Sequence, residues 1–542
     1  LVLVDGAALN DPVSGEADLS SVPAGSIESL TVLPGARGAR YGPRAQAGVV
    51  LIETRAAGAA PALEASAGSL DEWSGRGEVG ARAGGLGWSA GGHLRRVGGS
   101  FRHPRDVNDP TVVRRENADL EEWGAFAALA GRAAGGELRL RGGWDALERG
   151  LPGTGHTPSP HARQELERGR SALSWRWLGG RTALSAVASG AAQRVRYADP
   201  LPPFGLAYDD TTRVRSLSLR AEAERSLDAG WLRGFGGGVE GGVQRVEAGA
   251  LSAAAPRTRR DLGLFAHLLA GGSWPGVDLT LSAEGRADRD GVTGDWFASR
   301  ALTAGAGLGG FRLHLANRSS YTPPALGDQF FRAGVGVEPN PDLRAERVPS
   351  EWELGARWSG GARGVDLSAA AAAYAGDVQG MIVWLPDFSF RWSPRNVDVQ
   401  RRGLDVRGEA AFPHADLRLS GSWSLARAVY DQPGAPVQLA YRPRHSALFT
   451  AAWAPAPWRA GVTARYTGLR YPAPALVNAL PGFWGVDVDV GREWRLGRWT
   501  ATSALHVDRL FDETSSLIAG FPEPGRRLRF DLRLRRAGAI NP

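Results

Sequence analysis

The feature that most constrains this chain is a short-range alternation of apolar and charged residues, broken at intervals by turns. In the segment RLRFDLRLR, Leu528 and Phe530 fall on one face of an extended strand and Arg529 on the other, because successive side chains of a strand point to opposite sides. From about residue 62 onward the same pattern repeats as strand, short turn, strand and longer loop. The chain is therefore predicted to consist mainly of antiparallel strands.

The number of strands and the lengths of their connections predict a membrane barrel. About 22 candidate strands are present, and tight Gly-rich turns such as 84–87 and 307–310 alternate with long connections such as 99–118 and 321–347. Bacterial outer-membrane barrels have an even strand number between about 8 and 26, with short turns at one end and longer loops at the other. No apolar run reaches the roughly 18 residues of a transmembrane helix. The predicted fold class is an all-β membrane protein with an antiparallel transmembrane β-barrel of about 22 strands.

The distribution of charge limits the partners of the chain. Its 64 basic residues are all Arg, against 57 acidic residues, which gives a net charge of +7. These Arg residues are interleaved singly with apolar and acidic residues, whereas a nucleic-acid-binding surface would concentrate them. An Arg on the lipid face near the bilayer centre costs roughly 2–4 kcal/mol, so most are predicted to face the lumen. No nucleic acid partner is expected, and the absence of Cys excludes disulfides and thiolate metal sites.

The first 60 residues do not follow the barrel pattern. The segments LVLVDGAALND and SVPAGSIESLTVLPGARGARYGPRAQAGVVLIETR resemble the second half of the plug domain of TonB-dependent outer-membrane receptors. The resemblance rests on an apolar strand that ends in Asp-Gly, an Ile-Glu segment, a Gly-rich loop with Tyr-Gly, and a final apolar strand. The matching motif positions are Asp5, Gly6, Gly35, Tyr41, Gly42 and Gly48.

The residues of this segment also suggest how a plug would sit in a barrel. The stretch AGVVLIETR is predicted to be a buried plug strand, because it is short, β-branched and bounded by Gly and Arg. Gly35, Gly38, Gly42 and Gly48 permit tight turns. The Arg residues of the segment either pair with inward carboxylates of the wall or stay solvated. These residues are Arg37, Arg40, Arg44 and Arg55.

Two later segments extend the resemblance through the barrel. They are YTPPALGDQFF with NPDLRAERVPSEWELG in residues 321–355, and HVDRLFDETSSLIAGFPEPGRRLRFDLRLR in residues 506–535. The resemblance implies two domains, with residues 1–60 as the C-terminal half of the plug and residues 61–542 as the barrel. It also implies that the first plug half and the box that binds TonB precede residue 1. The expected location is the outer membrane, with lipid and lipopolysaccharide as partners and a monomeric state.

By this resemblance, the function is energy-coupled uptake of a scarce, bulky ligand that binds between the plug apex and the extracellular loops. TonB would then pull the plug and release the ligand inward. The stretch LNDPVSGEADLSSVP is similar to the corresponding loop of vitamin B12 receptors, so the first expectation is cobalamin. The predicted ligand contacts are Asn10, Val13, Ser14 and Gly15 from the plug and Tyr321, Phe330, Phe331, Trp384 and Phe388 from the loops. Each aromatic residue could equally serve loop packing or interfacial anchoring.

Other functions stay open. A ferric-siderophore receptor has the same fold, and lumenal Arg would attract anionic chelates. A passive porin would explain the barrel but not residues 1–60, and an outer-membrane hydrolase would need a nucleophile motif such as GxSxG, which the sequence lacks. No catalytic residue, metal site or cofactor is predicted. Clustered oxygen ligands in DVNDP (106–110) and YDDTT (208–212) suggest at most weak Ca²⁺ binding, since neither has EF-hand spacing.

Overall fold

The structure, a computed structural model, describes residues 1–58, 60–106, 109–333, 336–387, 389, 391–432, 435–472 and 478–536. The first 54 residues form a small sheet, and strands between Ala62 and Arg536 form a closed barrel. No helix in the described ranges is long and apolar enough to cross a membrane.

The N-terminal sheet is built around a short apolar core. Its elements are β1 (Val2–Val4), β2 (Ala7–Ala8), β3 (Ile27–Pro34), α1 (Gly38–Tyr41) and β4 (Gly48–Thr54), with 3₁₀ turns at Leu19–Ser21 and Ala24–Ser26. The strand order is β2, β1, β4, β3, and β1 runs parallel to β4. Val2, Leu9, Val22 and Ile52 pack together between these elements. The predicted buried strand is confirmed as β4, where Val49 is 1% exposed.

The Asp-Gly motif closes the first turn of this sheet. Asp5 and Gly6 both have positive φ, 50° and 84°, between β1 and β2. The Asp5 carboxylate accepts hydrogen bonds from the Thr54 amide (2.9 Å) and the Thr54 hydroxyl (2.7 Å). The motif therefore makes a turn and also fixes the end of β4 against the end of β1.

We expect Gly48→Ala to weaken the β3–β4 hairpin. Gly48 has a φ of +144°, and a Cβ there would lie 2.7 Å from the Leu33 carbonyl oxygen. The substitution should therefore destabilise the folded hairpin by about 1–3 kcal/mol. Hydrogen exchange of the plug amides should speed up, while that of the barrel stays constant. Gly485→Ala is the control, because a Cβ at that barrel glycine meets open space. Equal exchange in both variants would contradict this reading.

The remaining strands form the barrel and two small hairpins outside it. In chain order they are β5 (Ala62–Gly68), β6 (Glu72–Ala83), β7 (Leu86–Val97), β8 (Phe101–Asp106), β9 (Asp109–Arg115), β10 (Leu120–Ala133), β11 (Gly136–Gly150), β12 (Arg163–Gly179), β13 (Thr182–Asp199), β14 (Tyr208–Ala229), β15 (Leu232–Ala248), β16 (Thr258–Trp274), β17 (Val277–Arg289), β18 (Trp296–Leu308), β19 (Phe311–Thr322), β20 (Glu346–Ala362), β21 (Val365–Pro386), β22 (Trp392–Phe412), β23 (Leu417–Gln432), β24 (Ala435–Gln438), β25 (His445–Trp453), β26 (Trp458–Thr467), β27 (Phe483–Leu496), β28 (Trp499–Asp508), β29 (Ser516–Ile518), β30 (Phe521–Pro522) and β31 (Arg527–Arg536). Two short helical segments are α2 (Leu326–Phe330) and a 3₁₀ turn at Pro413–Ala415.

The barrel closes when β31 pairs with β5. Strands β24 and β25 both pair with β23 and together act as one interrupted strand, so the barrel has 22 antiparallel strands. Strands β8 with β9 and β29 with β30 pair separately as hairpins. The predicted fold class and strand number are confirmed.

The two faces of the strands match the predicted alternation. In β31, Leu528 and Leu532 are half-exposed on the outer face. Between them, Asp531 pairs with His506 across the lumenal face, at 2.9 Å from its Nε2. Exposed Trp side chains near both strand ends are typical of aromatic girdles at membrane interfaces. Examples are Trp73, Trp123, Trp296 and Trp352 near one end and Trp88, Trp231, Trp274 and Trp494 near the other.

The two ends of the barrel differ in their connections. Two-residue turns such as 84–85 and 309–310 lie at one end, and long connections such as 98–119 and 323–345 lie at the other, which is the extracellular end in barrels of this kind. Strands β21 and β22 have 22 and 21 residues, about twice the 9–11 that span a bilayer. These strands therefore carry their loops well beyond the membrane, above the N-terminal sheet.

Candidate functional site

The apex loop, residues 9–18, is held in shape by its own side chains. The Asn10 amide nitrogen donates to the Gly15 carbonyl at 3.0 Å. One Asp11 oxygen accepts from the Val13 amide at 2.8 Å, and the other accepts from Gln193 of the barrel wall at 2.8 Å. The loop is therefore stabilised by hydrogen bonds within itself and by a hydrogen bond to the wall strand β13.

A lid, formed by residues 323–333 with helix α2 and residues 336–345, lies directly over the apex loop. The Gly327 amide donates to the Val13 carbonyl at 2.8 Å. Leu326 is 1% exposed and belongs to an apolar cluster with Val214 and Val246 of the wall, against which Val13 packs. The predicted plug contact Val13 thus lies beneath the lid.

Backbone hydrogen bonds tie the lid to its neighbouring loops. The Ser252 amide donates to the Phe330 carbonyl at 2.7 Å, and the Arg332 amide donates to the Ala250 carbonyl at 2.7 Å. On the other side, the Glu338 amide donates to the Trp392 carbonyl at 2.9 Å. The lid therefore links the loop 249–257 to the start of β22 across the mouth of the barrel.

Two predicted ligand residues form an aromatic platform, Phe331 and Trp384, at the edge of the lid. Their ring centroids are 5.5 Å apart, and Trp384 is 38% exposed. The Trp384 indole donates to Asp328 at 3.2 Å. Arg332 follows Phe331, is exposed, and has no ion-pair partner in the described part of the chain. The edge of the lid therefore carries an aromatic pair and, at the position after Phe331 in the chain, an exposed cation.

The lid should close less firmly as the pH rises above the ordinary range of a carboxyl. Burial, and then repulsion from Glu16 of the apex loop, raises the pKa of Asp328, so the closed lid favours the protonated acid. Closure is then strongest below the ordinary pKa and weakens as the pH rises through the raised one. Hydrogen exchange of the α2 amides, followed from below the ordinary pKa to above the raised pKa, measures this pH dependence. Asp328→Asn should remove the dependence, and an unchanged pH profile in that variant would contradict the assignment.

Tyr321 lies elsewhere than predicted. It was expected to offer surface among the loops, but it is 3% exposed and stacks on Phe297 with ring centroids 4.3 Å apart. Its carbonyl accepts from the Arg44 amide of the plug at 3.2 Å. Tyr321 is therefore part of the wall below the loops, where β19 meets the plug.

Tyr321 and Asn10 both line an inner cavity of about 280 Å³ between the plug and the barrel wall. Wall residues of strands β6, β7 and β10 to β17 complete it, including Arg259 and Arg286, and Tyr41 and Arg44 line it from the plug. Its volume lies at the lower limit of the roughly 300–1,000 Å³ found for small-molecule pockets. The cavity fits a small solute or one substituent of a larger ligand.

A larger cavity of about 1410 Å³ lies on the other side of the plug, beside strand β3. Its lining extends from Asp278, near the two-residue turns, to Thr467, at the end of the long loops. Arg401 and Tyr374 line its middle. This space is large enough for an entire chelate and extends along the height of the barrel.

The plug contacts the wall through Arg40. Its guanidinium lies 2.7 Å from Glu222 and 3.3 Å from Glu224, and its Nη1 is 3.1 Å from Nδ1 of His267. Arg220 of the wall donates to the Arg40 carbonyl at 3.3 Å. The predicted pairing of plug Arg with wall carboxylates is confirmed for Arg40. Of the others, Arg37 donates to the Pro34 carbonyl instead.

A second plug contact was missed in the sequence. The Ala36 amide donates to the buried carboxylate of Glu351 at 2.8 Å, and Glu351 also accepts from Arg401 at 2.9 Å. The Gln46 side chain donates to Glu346 nearby. Strict alternation along ERVPSEWELG would put Glu346 and Glu351, five positions apart, on opposite faces of the strand. An irregularity between Arg347 and Glu351 brings both carboxylates inward, and the sequence carries no signal for it or for the plug atom that each one meets.

Tight backbone approaches explain the glycines of the plug motif. Gly35 and Gly42 have φ of 80° and 84°, as predicted, whereas Gly38 lies within α1. A Cβ on Gly42 would lie 2.9 Å from the Arg286 guanidinium, and one on Gly35 would lie 2.9 Å from Glu351. The motif thus lets the plug backbone reach charged wall groups.

Some predicted residues fall outside this arrangement. Phe388 lies outside the described residues, as do residues 107 and 108 of the first Ca²⁺ motif. In the second motif, Asp209 pairs with Arg196 at 2.8 Å. Ser14 remains on the apex loop, where its hydroxyl accepts from the Glu16 amide at 3.3 Å. Phe330 packs at the edge of the apolar cluster under the lid.

One group of side chains in the described ranges has metal-binding spacing, namely Glu222, Glu224 and His267. Their ligand atoms all lie within 4.8 Å of one another, and the group surrounds the Arg40 guanidinium. While the plug is in place, the Arg40 guanidinium therefore occupies the space between these side chains where a metal ion would bind.

Comparison with known proteins agrees with this architecture. Residues 87–507 match the family described as TonB dependent receptor-like, beta-barrel, and residues 1–49 match the TonB-dependent Receptor Plug Domain. No curated protein sequence matches the chain. A passive porin does not account for the plug match, and the matched family consists of receptors and transporters rather than enzymes.

Solved structures share the fold at low sequence identity. The copper transporter OprC is 16% identical with a TM-score of 0.77, over 98% of this chain and 89% of that one. A mutant of the ferric enterobactin receptor PfeA from Pseudomonas aeruginosa is 18% identical with a TM-score of 0.76, over 98% and 90%. The siderophore receptor PirA from Acinetobacter baumannii is 16% identical with a TM-score of 0.75, also over 98% and 90%. The chain belongs to the TonB-dependent receptor family of the bacterial outer membrane.

Proposed function

We propose that this receptor imports an anionic metal chelate of the ferric-siderophore type. The observation that carries the proposal is the aromatic platform of Phe331 and Trp384 at the mouth of the barrel above the plug, followed in the chain by Arg332, which is exposed and forms no ion pair within the described residues. Aromatic faces bind the flat organic groups of a chelate, and a free guanidinium binds its carboxylate or catecholate oxygens. The siderophore receptors PfeA and PirA share the fold, which supports this ligand class.

The composition of the chain favours a chelate over a bare metal ion. Soft ligands such as Cys and Met select copper(I), and the chain has no Cys and one Met, Met381. The metal-spaced group found in the described residues lies deep in the lumen around Arg40, away from the mouth. The copper-transporter neighbour therefore supports the fold of this chain but not a soft metal site at its entrance.

Cobalamin is the second candidate, because VSGEADLS in the apex loop is similar to the loop of vitamin B12 receptors. In the described chain Val13 lies beneath the lid, bonded to Gly327. Contact of cobalamin with Val13 would therefore require the lid to open, whereas Ser14 and Glu16 of the same loop are exposed. An anionic chelate can dock on the aromatic platform with the lid closed, which is why we place it first.

Energy coupling would act through the polar contacts of the plug. Arg40 with its two Glu partners and Ala36 with Glu351 hold the plug by charge-assisted bonds, which can exchange partners or take up water as the plug moves. TonB is the expected partner on the periplasmic side, with lipid and lipopolysaccharide around the barrel. We expect the receptor to act as a monomer.

Uptake by living cells tests this proposal. Gram-negative cells that lack their own siderophore receptors and express this protein should accumulate iron-55 from a ferric catecholate. A protonophore should abolish that accumulation, since TonB-driven transport needs the proton gradient. Iron uptake that continues unchanged with the protonophore would indicate a passive channel. Accumulation of labelled cobalamin without any iron uptake would overturn the ligand class in favour of the second candidate.

A further inference from the structure

Arg44 stands apart from the other Arg residues around the inner cavity. It lies on the plug after Tyr41 and lines the cavity. Its Nη2 is buried without a hydrogen-bond partner, and its guanidinium has no ion-pair partner among the described residues. Burial, and then repulsion from Arg259, lowers the pKa of Arg44 to about 10, which leaves the group charged at neutral pH. The cavity therefore contains a desolvated cation with no carboxylate in direct contact, while the charges of Asp261, Asp11 and Asp290 act on it from farther away.

The other Arg side chains that line the cavity, apart from the exposed Arg289, each have a carboxylate partner. The pairs are Arg76 with Glu78 (3.1 Å), Arg141 with Asp5 (3.9 Å), Arg170 with Asp145 (3.3 Å), Arg259 with Asp261 (2.8 Å) and Arg286 with Asp288 (2.7 Å). The cavity acids are thus already engaged, and none of them lies within ion-pair distance of Arg44. Because an unpaired buried charge is costly, a site of this kind is stabilised by an external anion.

The surroundings of Arg44 supply further polar groups for such an anion. Gln244 lines the same cavity, and its Oε1 is buried without a hydrogen-bond partner. Rotation of this amide exchanges its oxygen and nitrogen, which are not distinguished by shape, and would present two N–H donors to an anion. The cavity also contains Ser and Gly residues of strands β12 to β15, which leave space between the apolar side chains of the lining.

We propose that Arg44 forms an anion subsite in the inner cavity, which takes a carboxylate or phosphate group. The anion is either a free ion or a substituent of the imported ligand. If the anion is a substituent of the imported ligand, the inference deepens the proposed function and rests on it. If the anion is a free ion, it does not. The cavity of about 280 Å³ admits one small anion or one substituent, but not a whole chelate.

Diffraction from crystals soaked in selenate tests the site directly. Wild-type protein should show an anomalous selenium peak within hydrogen-bond distance of the Arg44 guanidinium. Arg44→Gln should lose that peak. Arg37→Gln should keep it, because Arg37 lies on the same plug segment, outside the cavity lining. Arg44→Lys retains the charge with fewer hydrogen-bond donors and should keep a weaker peak. A weaker peak in this variant shows that the loss in Arg44→Gln does not come from a misplaced plug.

Two titrations then separate the sources of the anion. Calorimetry with free phosphate and citrate tests a free ion, and calorimetry with a carboxylate-bearing and a neutral ferric chelate tests a substituent. Arg44→Gln should lower the affinity at least tenfold, either for the free anions or for the carboxylate-bearing chelate. The affinity for the neutral chelate should not change. No selenate peak in the wild type, or titrations that do not change in Arg44→Gln, would overturn the subsite. A receptor that binds no ferric chelate but retains the Arg44-dependent anion would overturn the proposed function alone.

Discussion

Glu351→Ala should release the plug from one side of the barrel. The substitution leaves the buried Ala36 amide without an acceptor and Arg401 without its carboxylate, bonds that now measure 2.8 Å and 2.9 Å. Removing one member of a buried ion pair costs about 3–5 kcal/mol. Hydrogen exchange of the Ala36 amide should accelerate by several orders of magnitude, and the plug should lose protection at a lower urea concentration than in the wild type.

A neighbouring carboxylate provides the control for this experiment. Glu353 lies on the same strand, two residues further along, and pairs with Arg318 at 3.0 Å rather than with the plug. Glu353→Ala should disturb the wall to a similar extent and leave exchange of the Ala36 amide close to wild type. If both variants loosen the plug equally, the plug depends on the general integrity of the wall and not on the Glu351 contact.

Removal of the aromatic platform should have the second large effect. Phe331→Ala and Trp384→Ala each delete one ring of a pair whose centroids are 5.5 Å apart. Central aromatic residues commonly contribute 2 kcal/mol or more to an interface, so we expect affinity for a ferric chelate to fall by about 10- to 100-fold in each variant. Calorimetric titration of the purified receptor measures this loss.

Two further variants identify what the platform contributes. Phe511→Ala removes an equally large ring that is 67% exposed on another extracellular loop, and it should leave the affinity unchanged. Trp384→Phe retains an aromatic face but loses the hydrogen bond to Asp328, so it should recover most of the binding. A Phe511→Ala variant as weak as Phe331→Ala would show that the loops bind ligand without a defined platform.

The sequence predicted the barrel because its signal is repeated in every strand. Alternation such as that of Leu528 and Arg529 fixes which side chains face lipid and which face the lumen, and the turn lengths fix the two ends. The plug strand β4 was also predictable, since an apolar run bounded by Gly and Arg has few other roles. Both features follow from local rules that a single sequence contains.

The site was harder to predict, because it depends on contacts between distant parts of the chain. Tyr321 and Phe331 are only ten residues apart, yet one is buried in the wall and the other lies on the lid. The bond from Gly327 to Val13 joins a loop of the barrel to the plug across more than 300 positions. Such pairings depend on register and barrel closure, and neither residue type carries a signal for its partner.

A binding titration tests directly whether the aromatic platform binds a ferric chelate. Purified receptor should be titrated separately with a ferric catecholate, cyanocobalamin and copper(II) chloride, with Phe331→Ala as the parallel variant. We expect saturable binding of the ferric chelate at micromolar concentration or below, with an affinity at least tenfold weaker in Phe331→Ala. Binding of cyanocobalamin or copper alone, or ferric-chelate binding that does not change in Phe331→Ala, would contradict this expectation.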